Sequence, residues 1–95
     1  MGQGLSPLQR QILAVLERWP TFEQATPGYL GDWALPRDII EGLGLPKNNA
    51  TRASLSKALL RLHDRGLVAR SSGQVAKVGK SFWYVRIAGK PESEQ

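Results

Sequence analysis

Apolar residues return at helical spacing from Leu8 onward: Leu8, Ile12, Val15, Leu16 and Trp19 fall on one face. The segment Ser6-Pro7-Leu8-Gln9 marks where that helix begins. Ser6 stands at the N-cap, Pro7 at the first helical position and Gln9 three residues after the cap, the pattern of a capping box with a preset first turn. Pro20 ends the helix. The apolar residues that follow keep no period. Phe22, Tyr29, Leu30 and Trp33 are interrupted by the turn signals Pro27-Gly28 and Gly31-Asp32. That many large apolar groups do not suit a free linker. Residues 20–34 are therefore expected to form an ordered loop that folds back on the core and ends in a short strand near Trp33.

Periodicity resumes at residues 35–43, which read as a short second helix opened by Pro36 and closed by Gly44. A turn over residues 45–48 leads to a third helix. Asn48, Asn49 or Thr51 can cap it, and Gly66 ends it after Arg65. On a wheel of 100° per residue, Thr51, Leu55, Ala58, Leu59 and Leu62 share one narrow face. The opposite arc holds Ala50, Ala53, Ser54, Lys57, Leu60, Arg61 and Asp64. One side is built for burial, and the other offers small, polar and basic groups. His63 lies at the edge of the apolar face and reads as a packing or surface residue.

Residues 67–70 read as a strand. Residues 71–81 read as a polar tip with Gly73, Lys77, Gly79 and Lys80, and residues 82–87, aromatic and β-branched, as a second strand. Together they predict a hairpin in which Trp83 faces inward with Val85 and Ile87, although Trp83 or Tyr84 could also stack on a base. The expected class is α+β, three helices with a small antiparallel sheet, in a single domain over residues 1–90. Residues 91–95 are expected to be a disordered tail.

Charge sharpens this picture. Residues 1–43 carry three basic side chains against five acidic ones, a net of −2, whereas residues 44–90 carry ten against one, a net of +9. Segregation of this kind suits a polyanionic partner, and it also suits a solvated surface that keeps the protein soluble. The absence of cysteine excludes disulfides, thiolate metal sites and cysteine nucleophiles, and His63, the one histidine, cannot build a zinc site alone. No carboxylate pair, phosphate-cradling glycine loop or nucleophile–base pair stands out, so neither enzyme nor cofactor is expected. No apolar run approaches the roughly 20 residues that span a bilayer. The opening residues lack the regions of a signal peptide, although Gly2 and Ser6 fit the short myristoylation pattern. A cytoplasmic protein with no membrane partner and no small-molecule ligand is expected.

Residues 49–70 resemble the winged helix–turn–helix regulators, including the MarR-type proteins. The stretch 51–68, Thr-Arg-Ala-Ser-Leu-Ser-Lys-Ala-Leu-Leu-Arg-Leu-His-Asp-Arg-Gly-Leu-Val, looks like their recognition helix running into the first wing strand. Ile87 stands where that family often has a leucine. The long loop 20–34 and Leu60, where a polar or basic residue is usual, depart from the pattern and leave room for further contacts. The resemblance implies a sequence-specific transcription regulator that binds double-stranded DNA. Helix 49–65 would enter the major groove and the wing 71–81 would follow the backbone or minor groove.

The residues suit that role. An α-helix fits the major groove, where base edges are distinguishable. Ala53 and Ser54 keep the leading face slim, Lys57 can reach guanine or phosphate, Arg61 suits a phosphate, and Arg52, at the flank, could contact backbone or base. In the wing, Lys77 and Lys80 suit phosphates. A homodimer is compatible with this reading. Two rivals are a winged helix used for protein–protein assembly, docking through Leu60 and the aromatic loop, and a plasmid or phage replication module.

Overall fold

The computed structural model describes residues 5–27, 29–75 and 79–88. They form three helices and a two-stranded antiparallel hairpin, an α+β arrangement: α1 (Pro7–Leu16), a single 3₁₀ turn (Leu30–Asp32), α2 (Pro36–Leu43), α3 (Asn49–Asp64), β1 (Val68–Val75) and β2 (Gly79–Arg86).

The local signals act as expected at every helix end but one: α1 stops at Leu16, with Glu17 as its C-cap, before the chain reaches Pro20. Ser6 Oγ accepts from the Gln9 N–H, and Gln9 Oε1 accepts from the Ser6 N–H, so two otherwise orphaned donors are satisfied reciprocally. Pro36 opens α2, where Asp38 Oδ2 accepts from the Leu35 N–H at 3.0 Å. Asn48, first of the three candidate caps, holds α3 by accepting from the Thr51 N–H at 2.8 Å. At the other end Gly66 adopts φ +77°, a left-handed conformation that side chains resist. The Gly66 and Leu67 N–H groups then donate back to the His63 and Leu62 carbonyls, turning the chain sharply from α3 into β1.

The helices bury their predicted faces against one another. Ile12 and Leu16 of α1, Ile39 and Ile40 of α2, and Leu55, Ala58, Leu59 and Leu62 of α3 form one core with Val68 and Tyr84 of the hairpin. A second, smaller core lies on the other side of the hairpin, where Trp83 and Val85 pack with Ala25, Trp33 and Leu35. Loop 20–34 thus folds back as expected. Phe22 meets Trp33 edge-on at 6.2 Å, the Phe22 N–H donates to the Arg86 carbonyl, and Glu23 Oε1 accepts from the Ala88 N–H at 2.9 Å. That last bond holds the Glu23 carboxyl below its ordinary pKa.

Three expectations need correction. The strand near Trp33 is a single bridge at Ala34, which exchanges two hydrogen bonds with Tyr84 at 2.8 and 2.9 Å. The 3₁₀ turn occupies the residues just before it, so only one residue is free to pair. The polar tip 71–81 is mostly paired strand, with Ser71 opposite Trp83 and Val75 opposite Gly79. A ladder is made by the backbone, and Ser, Gly and Gln side chains do not prevent it. Nor does Trp83 alone face inward: Trp83 and Tyr84 are 7% and 6% exposed, on opposite faces of β2. The helices cover one face and the loop covers the other, so both aromatic residues are buried and neither is open to a base.

Candidate nucleic-acid interface

The exposed side of α3 follows directly from its buried side. With Leu55, Ala58, Leu59 and Leu62 turned to the core, 3.6-residue periodicity sends Ala50, Ala53, Ser54, Lys57, Leu60, Arg61 and Asp64 outward, and all seven are exposed. Arg52, on the flank, is exposed as well. The arc therefore holds two cations one turn apart, preceded by alanine and serine. Asp64, at its C-terminal end, is the one acidic residue of α3. Leu60, 48% exposed, lies among these polar groups.

One flank of this arc is recessed. A depression of about 310 Å³ lies between the α2–α3 turn and α3, lined by Leu8, Leu45, Ala50, Thr51, Ser54 and Leu55. A second, of about 290 Å³, adjoins it, since Leu8 and Ser54 line both, and it carries Ser6, Gln9, Lys57, Ala58 and Arg61. The first turn of α1 thus forms the wall beside Lys57 and Arg61. Sequence reading gave Ser6 and Gln9 only a capping role, because nothing local tells that a capped turn will abut another helix.

The hairpin supplies a second surface. The register puts Val68, Arg70, Ser72 and Gln74 of β1 on the same face as Lys80, Phe82, Tyr84 and Arg86 of β2. Val68 and Tyr84 close the helical core at the inner end of that face. Further out, Arg70, Ser72, Gln74, Lys80 and Phe82 are exposed. The Arg70 guanidinium lies over the Phe82 ring, 4.6 Å from its centroid, a cation–π contact. Burial pushes the Tyr84 pKa up and outweighs the nearby Arg70 cation, which favours the phenolate. From Gly66 to Ala88 the chain has no acidic residue.

Of the seven residues singled out from sequence, Ala53, Ser54, Lys57 and Arg61 share the outer arc of α3, with Arg52 on its flank, and Lys80 stands apart on the hairpin. Lys77 lies outside the described residues. Arg70 and Phe82 were missed. Their common face depends on where the hairpin turns, and placing the tip over residues 71–81 hid the register that pairs Ser72 with Phe82. Among the described residues, no group of three or more His, Cys, Asp or Glu side chains could hold a metal ion, and no helix is long and apolar enough to cross a membrane.

No protein-family model matches the chain, and no curated protein matches it. The functional reading rests on the geometry of the two surfaces.

Proposed function

We propose that this chain is a winged helix–turn–helix domain that binds double-stranded DNA in a sequence-specific manner, as a transcription regulator does. The observation that carries the reading is the division of α3 into a buried leucine face and an exposed arc of Ala53, Ser54, Lys57 and Arg61. Small residues let the helix backbone approach the floor of the major groove, where a lysine can find guanine acceptors. Arg61, nearer the end of the helix, suits a phosphate, as does Arg52 on the flank. The order of elements supports the same reading. After α1 comes a bridge at Ala34, then two helices joined by a tight turn, then a long hairpin whose second strand receives that bridge. Lys80 belongs to the hairpin, which would lie along the adjacent backbone or minor groove, and Lys77 is the other cation proposed for that contact.

Titration of labelled random duplex DNA at several salt concentrations tests this. If about five phosphates are neutralised per monomer, log affinity falls with log salt at a slope near −4.5. Affinity that does not change between low and moderate salt would sink the reading. The rival, a module for protein–protein assembly, draws support from the exposed Leu60 on α3 and from Phe22 and Tyr29 in the loop. It predicts no shift of duplex DNA at low salt.

A further inference from the structure

Phe82 is the one large apolar residue of the hairpin left exposed among the described residues, at 45%, and the cations Arg70 and Lys80 share its face. Ser72 stands opposite it on β1, Lys80 two positions away on its own strand, and Arg70 over its ring. The result is a guanidinium over an aromatic ring, with a hydroxyl, an amide (Gln74) and an ammonium on the same face. Those groups match the needs of an unpaired nucleotide: a π surface or guanidinium plane for the base, short polar side chains for its edge and a cation for its phosphate.

We infer that this face takes an unpaired base at the junction of duplex and single strand, stacking it on the Phe82–Arg70 pair. The inference rests on the DNA-binding reading and narrows its substrate class to duplexes that carry a single-stranded tail. A wedge driven between intact base pairs is the less suitable alternative. A wedge must project beyond its surroundings to enter a base step. Phe82 instead lies in the middle of a paired strand, half covered, with Arg70 against its ring. A base already outside the stack can come to such a surface at little cost.

Three fluorescein-labelled probes of the same duplex sequence test the inference: blunt, with a tail of about six nucleotides, and with a tail of equal length made of abasic sites. All three are titrated against the whole chain by anisotropy at one salt concentration. The tail with bases is expected to bind about tenfold tighter than the abasic tail, which keeps the phosphates but has nothing to stack. Phe82→Leu should bring that ratio close to one, and Phe82→Trp should keep it. Equal affinity for the two tails overturns the inference in the unaltered protein, whatever the variants do, and leaves duplex binding intact. A base-dependent preference that survives Phe82→Leu in a folded variant also overturns it, because the stacking then lies elsewhere. Failure of all three probes to bind overturns the DNA reading itself.

Discussion

Lys57 and Lys80 carry the same charge on different ground. Lys57 projects from a rigid helix with Ala53 one turn before it and Ser54 beside that turn, so its reach toward a base edge is set by the backbone. Lys80 extends from a strand face as a point charge on a flexible stem. Phosphate contacts fix register, whereas base contacts carry sequence information. Lys57→Ala should therefore lower affinity and relax preference by about 1–3 kcal/mol at one base pair. Lys77→Ala combined with Lys80→Ala should weaken selected and scrambled duplexes about equally and flatten the salt slope by roughly two units. Paired titrations of a selected site and its scrambled version decide between the roles. If the hairpin variant loses discrimination while Lys57→Ala keeps it, the assignment is reversed. The α3 residues were legible in the sequence because helical periodicity depends only on local spacing. Arg70 and Phe82 were not, because strand register depends on a turn whose position the polar residues 71–81 do not mark.

At the level of elements, α3 and the hairpin depend on different kinds of packing. α3 is held by leucines. Leu55, Leu59 and Leu62 are almost wholly buried against Ile12, Leu16 and Ile39, and truncating any one to Ala should lower stability by about 2–5 kcal/mol in thermal melts. A negligible shift for all three would contradict this packing. The hairpin is held by close approach. A methyl group added at Gly73 would lie 2.7 Å from the Trp83 ring, which crosses to β1 at that point. Gly73→Ala should destabilise the fold by about 1–3 kcal/mol, and a change in Trp fluorescence should accompany it as the Trp83 ring shifts. Fluorescence and melting temperature both unchanged would mean that Trp83 is free to move. The helices could be read from capping residues and apolar stripes, and their ends fell within a residue of expectation except at the C-terminus of α1, which stops at Leu16 rather than at Pro20. The length of the strands could not, because Ser71, Ser72, Gly73 and Gln74 carry turn-like chemistry and are paired only because β2 lies beside them. The burial of Tyr84 was likewise hidden, since simple alternation allows a strand one covered face and β2 has two.

For the molecule as a whole, the two cores share β2, so the state of Tyr84 registers on global stability. Burial raises its pKa in the folded chain above the ordinary value near 10. The stabilising contribution of the neutral phenol is then fully present below pH 10 and is lost as pH rises through the folded pKa. Denaturant titrations at increasing alkalinity should show stability falling in that window, and Tyr84→Phe should make the fall shallower. An identical decline in the variant would show that other groups cause it. The sharing of β2 has a consequence in time as well as in energy. The Ala34 bridge, the Phe22 and Glu23 bonds, the second core and part of the first all wait for residues 82–88, and the Glu23–Ala88 bond spans 65 positions. Contacts so distant along the chain close late, after loop entropy has been overcome. A nascent chain emerging from the ribosome can form α1 and α3 as local helices. It cannot seat loop 20–34 until β2 is available, so folding of the domain as a unit waits for residues 82–88.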